Sequence, residues 1–223
     1  MRINKYLAQA TGISRRAADR VLLQGKVTVN GIPAATGVDV GATDTVLLNG
    51  RELQLPASFT TIMLNKPAGY ICSRDGQGGK TIYDLLPKEL HTLKPVGRLD
   101  KDTSGLLLLT DDGKRAQELT HPKYQKEKRY EVKLHKPLTE ADFVSITTTG
   151  VTVEDGVSTL GLESLDAHKT RWKVTMHEGR NRQIRRTFEA LGYRIVSLHR
   201  THFGPYSLNK LTSGTYAVVE PDK

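Results

Sequence analysis

The sequence predicts an α+β chain: a small helix-helix-hairpin unit over residues 1–55, a linker at 56–60, and a larger domain over 61–223 with a mixed, mainly antiparallel sheet. Three observations lead there. Apolar residues fall at helical spacing at the N-terminus and then give way to two short strands, each entering an Asn-Gly turn. From Thr60 onward the chain is richer in strands, with apolar runs and alternations. Helical and strand patterns then mix without the strict βαβ alternation of a parallel sheet. No long repeat or low-complexity tract interrupts this order.

In the first unit Ile3, Leu7 and Ala10 share one helical face, Ile13, Ala17 and Val21 another, and Ser14 is placed to cap the second helix. "KVTVNG" after Gly25 is a strand running into a turn, and "VLLNGREL" at 46–53 repeats the form. Asn-Gly supplies the positive φ angles that two-residue hairpins demand. "LPASFT", residues 55–60, reads as the connection. "TTIMLNKP" is a strand stopped by Pro67, and "LLLLT" at 106–110 is a continuous apolar strand. Asp111 and Asp112 follow as turn and cap residues ahead of the helical "GKRAQEL". In "KRYEVKLH", Tyr130, Val132 and Leu134 alternate with charged neighbours, as Trp172, Val174 and Met176 do in "RWKVTMHEG". "NRQIRRTFEALG" is helical, with Ile184, Phe188 and Leu191 on one side and Gly192 closing it. Arg182, Arg185 and Arg186 fall away from that stripe.

The charge balance narrows the function. Thirty-three Lys and Arg oppose 24 Asp and Glu, for a net +9, and the pI is about 9.6. Such an excess points to polyanions, nucleic acid before membrane surfaces. It is concentrated: the first thirty residues hold six cations and one acid, and residues 180–200 hold six arginines and one acid. Arg15, Arg16 and Arg20 lie largely off the apolar face of the second helix, suited to phosphate contacts without base specificity. The single cysteine, Cys72, excludes an internal disulfide and a multi-cysteine zinc site, and no motif surrounds it. No apolar run approaches the roughly 18 residues that suggest a membrane span. "MRINKYLAQATG" lacks a signal-peptide core, so the expected location is the cytoplasm.

Common catalytic motifs are missing. There is no HExxH, and His199-x-x-His202 alone is a weak metal signal. "GQGGK" at 76–80 lacks the spacing and the following Ser or Thr of a P-loop, and reads as a loop open to RNA contact. No nucleophile elbow surrounds any serine. Asp100, Asp102, Asp111 and Asp112 could be imagined as a magnesium site, but the leucine strand between the pairs would separate them. Asp102 in "DTSG" reads as a turn residue. Asp100 lies between apolar Leu99 and Lys101, with Arg98 beyond, so it needs a cationic partner if desolvated. Read from the residues alone, a structural ion pair is its ordinary explanation.

Two resemblances add to this reading. "RINKYLAQATGISRRAADRVLLQGKVTVNGIPA" resembles an S4-like RNA-binding domain. "GRLDKDTSGLLLLTDDG" resembles the signature of RNA pseudouridine synthases of the RsuA/RluA superfamily, and the chain as a whole resembles the RsuA branch. Three further segments agree, in order: "MLNKPAGYICS" with the strand that opens that catalytic domain, "KEKRYEV" with the segment whose tyrosine packs on the target base, and "EGRNRQIRR" with the motif that places a cation beside the aspartate.

The resemblance implies a catalytic domain with a central cleft that isomerises uridine to pseudouridine in RNA after flipping the base from its stack. Carried over by position, Asp100 is the catalytic carboxylate, Tyr130 the base-stacking residue and Arg185 the ion-pair partner of Asp100. Arg98, Arg182 and Arg186, with Arg15, Arg16 and Arg20, would contact the substrate. No cofactor and no metal is expected, because nothing is oxidised and no group is transferred. The expected partner of this monomer is ribosomal RNA or a pre-ribosomal particle, with the large-subunit RNA favoured over the small. Two rivals stay open: a non-catalytic RNA-binding assembly protein, and a metal-dependent RNA hydrolase using the acidic cluster.

Overall fold

The computed structural model of the protein describes residues 1–76 and 78–220; Gln77 of the "GQGGK" segment and residues 221–223 lie outside that description. Helix α1 (Ile3–Thr11) stops where Gly12 turns to φ +76° and returns its N–H to Ala8 O. Helix α2 (Arg15–Leu23) starts at Ser14, whose Oγ accepts from Ala17 N at 3.1 Å. Its buried face is rotated from the expected one: Ala18 and Leu22 are buried, while Ala17 and Val21 flank them. Arg15, Arg16 and Arg20 are exposed.

Strands β1 (Val27–Val29) and β2 (Ile32–Pro33) form one hairpin, β3 (Val46–Leu48) and β4 (Arg51–Glu52) the other, in one sheet of order β2-β1-β3-β4. At both turns the Asn-Gly pair has positive φ, 52° and 80° at Asn30-Gly31 and 52° and 76° at Asn49-Gly50. Such paired angles fit hairpin turns whose twist matches the strands. Ile3, Leu7, Ala18, Leu22, Val27 and Val46 share the core under this sheet.

The next strands are β5 (Thr61–Lys66), β6 (Lys94–Pro95) and β7 (Ser104–Thr110). Helix α3 (Gly113–Thr120) follows, capped by Asp112, which accepts from Lys114 N and Arg115 N at 2.8 and 3.2 Å. After β8 (Lys128–Leu134), helix α4 (Glu140–Val144) runs on as a π turn. A small hairpin of β9 (Val151–Val153) and β10 (Gly156–Ser158) precedes β11 (Gly161–Ser164) and β12 (Arg171–Met176). Helix α5 (Gln183–Ala190), β13 (Ile195–Phe203), β14 (Tyr206–Ser207) and β15 (Tyr216–Val218) complete the chain.

Nine of these strands make one sheet with the path β11-β12-β8-β13-β7-β5-β15; β14 and β6 attach at its side. Its pairs are antiparallel except β13 with β7. β7 is covered on both faces: Leu107 and Leu109 join Ile62 and Leu64 in the main core, while Leu106 and Leu108 pack with Val96, Leu119 and Phe203. Each of these fully buried leucines contributes about 1.5–3 kcal/mol relative to exposure. That makes β7 a rigid mount for whatever immediately precedes it, and what precedes it is Asp100. No helix among the described residues is long and apolar enough to cross a membrane.

Candidate active site

Asp100 leads a tight turn into β7, closed by Thr103 N–H donating to Asp100 O at 3.1 Å. Leu99 is buried and its N–H reaches Cys72 Sγ at 3.5 Å, so the residue before Asp100 is anchored in the core while the carboxylate faces out. Beneath the turn lies Lys66, fully buried at the end of β5. Its ammonium donates to the carbonyls of Thr103 at 2.7 Å, Pro67 at 3.0 Å and Asp100 at 3.1 Å, with Lys101 O at 3.5 Å. Burial lowers its pKa, opposed by the nearby carboxylates of Asp102 and Asp100. Sequence reading passed over Lys66, yet the signal was present. Ile62, Leu64 and Lys66 alternate on one strand face, and the first two are core residues.

The cations come from the start of α5, whose Ile184 and Phe188 anchor it in the main core. Arg185 does not take the expected place beside Asp100. Its Nη2 lies 3.2 Å from Asp102 Oδ2 and donates to Asp102 O at 3.1 Å and Thr103 Oγ1 at 3.3 Å. Arg182 is the cation on Asp100, with Nη1 3.4 Å from Oδ2, and it also lies 3.5 Å from Asp102 Oδ1. The reason is local. Arg185 sits inside the first turn of the helix, buried rather than turned away, and braces the turn that carries Asp100. Arg182 precedes the helix in a left-handed conformation, φ +48°, and reaches the acid from there.

Arg186 is engaged elsewhere, 2.6 Å from Asp155 Oδ2. Arg180 Nη1 meets the same acid at 3.1 Å. Hydrogen bonding from Arg186 holds Asp155 below the usual carboxylate range, and together these contacts tie the β9–β10 hairpin to α5. Arg98 is exposed at the rim, and Tyr130 is buried on β8; both line a cleft of about 1120 Å³ with Asp100, Ile184 and Arg185. Pockets for small ligands run to roughly 300–1,000 Å³, so this cleft slightly exceeds that range.

The other candidates lie apart from this chemistry. Asp111 accepts from Thr60 N at 2.7 Å, and Asp112 caps α3. His199 Nδ1 pairs with Ser104 Oγ and His202 Nδ1 with Thr201 Oγ1, both at 2.9 Å. Cys72 is buried, which pushes its thiol pKa up. Arg15, Arg16 and Arg20 belong to α2 and do not line the cleft.

Comparison with known proteins follows the same layout. A family profile described as RNA pseudouridylate synthase matches residues 60–190, and an S4 domain profile matches residues 1–52. The chain is 39% identical to the ribosomal small subunit pseudouridine synthase A of Pasteurella multocida, over all of this chain and 97% of that protein. It is 37% identical to the ribosomal large subunit pseudouridine synthase B of Bacillus subtilis, over 99% of this chain and 92% of that one. A solved structure of a pseudouridylate synthase matches with a TM-score of 0.69 and 33% identity, covering 99% of this chain and 96% of the other.

Proposed function

The chain belongs to the RNA pseudouridylate synthase family, and we propose that it converts a uridine of ribosomal RNA to pseudouridine with Asp100 as the catalytic carboxylate. On this reading residues 1–55 dock the RNA and residues 61–223 perform the isomerisation. The supporting observation is the meeting of Asp100, Arg182 and Tyr130 at one cleft, with the acid on a turn braced by Lys66 and Arg185.

The reaction breaks the N1–C1′ bond, turns the base and joins C5 to C1′. C5 loses its proton as it joins C1′ and N1, freed from the sugar, gains one, so the product is an isomer. The nucleotide must first leave its stack, at a cost of a few kcal/mol. Stacking on an aromatic ring such as Tyr130 returns about 1–3 kcal/mol per base. Asp100 then either adds to the sugar C1′ or takes a proton from the sugar, and both routes use the carboxylate as an anion. Arg182 balances that charge while a polyanion approaches. Arg185 is a positioning residue: it holds Asp102 and Thr103 and so fixes the turn. Arg98 at the rim and Arg15, Arg16 and Arg20 on α2 meet the RNA backbone.

Relatives named for both ribosomal subunits resemble the chain to a similar degree. We favour the large-subunit RNA because "EGRNRQIRR" is closer to that type. The test is to incubate wild type and Asp100→Asn with unmodified small- and large-subunit transcripts and map pseudouridine. Wild type forms it on the large-subunit transcript, whereas Asp100→Asn binds equally well and forms none. Near-wild-type isomerisation by Asp100→Asn would sink the assignment, and pseudouridine on the small-subunit transcript alone would reverse the choice of RNA.

A further inference from the structure

We propose that Lys128 and Arg200 form a phosphate-anchoring subsite in the cleft, built to take the phosphodiester of the flipped uridine. This rests on the isomerase reading for what enters the cleft, and on the geometry of the sheet for where the phosphate goes.

Register places the pair beside the base-stacking residue. Lys66 pairs with Gly105, Gly105 with Arg200 and Arg200 with Tyr130, in one row across β5, β7, β13 and β8. Direct cross-strand neighbours share a sheet face, so Arg200 stands next to Tyr130. Lys128 precedes Tyr130 by two residues on β8 and pairs across to Phe203, which puts it on the same side. Both cations approach the Phe203 ring, Arg200 Cζ at 4.8 Å and Lys128 Nζ at 5.5 Å from its centroid. All three residues line the cleft.

Both cations are set into the cleft wall without a counter-charge. Arg200 is only 3% exposed; its Nε donates to Leu106 O at 2.8 Å, and its buried Nη2 has no partner. Lys128 donates to two carbonyls, Glu178 O at 3.0 Å and Lys126 O at 3.2 Å. Among the described residues neither cation forms an ion pair, whereas Arg180, Arg182, Arg185 and Arg186 each have a carboxylate. Burial lowers the Lys128 pKa, and the charge of Arg200 lowers it further, so each cation raises the electrostatic cost of the other. The Phe203 ring offsets only part of that. Lys66, in the same row, is occupied by its carbonyls and plays no part.

Two uncompensated cations in the cleft wall, one of them buried, are matched by an anion, and the anion of the RNA chain is its phosphodiester. The uracil carbonyls are neutral acceptors, which could satisfy one donor without balancing two charges. A guanidinium with a free N–H beside an ammonium is a donor set suited to phosphate oxygens. Placed next to Tyr130, such an anchor would hold the backbone at the point where the nucleotide leaves the stack.

The test is calorimetric titration of the full chain with uridine, uridine 5′-monophosphate and uridine 3′-monophosphate. One monophosphate binds wild type at least about tenfold more tightly than uridine, as a charge-assisted hydrogen bond would give. Lys128→Gln, a change at the half-buried member, keeps a wild-type melting curve and loses most of that preference; Arg200→Gln does the same where it folds. The proposal is overturned if no monophosphate binds measurably, if both bind no better than uridine, or if folded Lys128→Gln keeps the preference. Failure of the isomerase reading would show separately, as absence of pseudouridine in wild-type reactions with the phosphate preference intact.

Discussion

Replacing Lys66 with methionine asks whether a buried charge holds the turn that carries Asp100. The ammonium has three close acceptors, at 2.7, 3.0 and 3.1 Å, on Thr103, Pro67 and Asp100. Asp100 O also accepts from Thr103 N, so the loss falls mainly on Pro67 and Thr103. A buried acceptor left unsatisfied costs about 1–3 kcal/mol, giving roughly 2–6 kcal/mol for the two before relaxation. Against this stands the desolvation of the ammonium itself, which lowers the Lys66 pKa and which methionine does not incur. The net expectation is a destabilisation of about 2–3 kcal/mol. Activity should fall further than stability alone requires, because the freed carbonyls bracket the turn that carries Asp100. A misplacement of about 1 Å can cost on the order of 100-fold in rate. Urea unfolding gives the first quantity. Tritium release from RNA labelled at uridine C5 gives the second, since the reaction discards that proton. The reasoning is refuted if Lys66→Met loses under about 1 kcal/mol and retains wild-type kcat.

Two further outcomes follow from the same geometry. Gly105→Ala should destabilise by about 2–4 kcal/mol in urea, because φ is +109° and a Cβ would lie 2.5 Å from Arg200 N and 2.9 Å from its carbonyl carbon. A loss under about 1 kcal/mol would show that the β7–β13 contact relaxes freely. Changing Arg15, Arg16 and Arg20 together to Gln should lower the slope of log affinity against log salt by about 2–3, whereas Arg186→Gln, whose cation Asp155 holds, should leave it near wild type. Equal slopes in the two variants would remove α2 from the RNA interface.

The strands and their buried faces were legible because period-two patterning is a local property. Tyr130, Val132 and Leu134 are buried as their alternation demands, as are Trp172, Val174 and Met176. The hairpins were equally readable, since Asn-Gly carries its own backbone requirement. The motif around Asp100 marked the acid, but pairing across the cleft could not be read from spacing. Arg182 and Arg185 lie three residues apart, and which one reaches Asp100 depends on a left-handed residue at 182 that places Arg182 outside the helix. The apolar stripe of α5 gave the wrong answer for Arg185, which is buried because a carboxylate and a carbonyl of a distant turn receive it. Lys128 and Arg200 were hidden for the same reason: each is ordinary in its own segment, and only the β8–β13 register sets them side by side.

The distribution of charge explains how a basic chain can keep an acid at its centre. The arginine-rich stretch from 180 to 186 resembles an RNA-binding surface in composition, yet its four arginines are each engaged with Asp100, Asp102, Asp155 or Glu178. Those pairs fix the position of the Asp100 turn and of the neighbouring hairpin, and they leave little unbalanced charge to attract a phosphate. Unbalanced cations sit elsewhere, among them those on the exposed face of α2, Arg98 at the cleft rim, and Lys128 and Arg200 on the cleft wall. A polyanion drawn to such cations need not compete for the partners of Asp100. On the proposed reading, separation of paired from unpaired cations would let one chain bind RNA by its charge and still present the Asp100 carboxylate to the sugar.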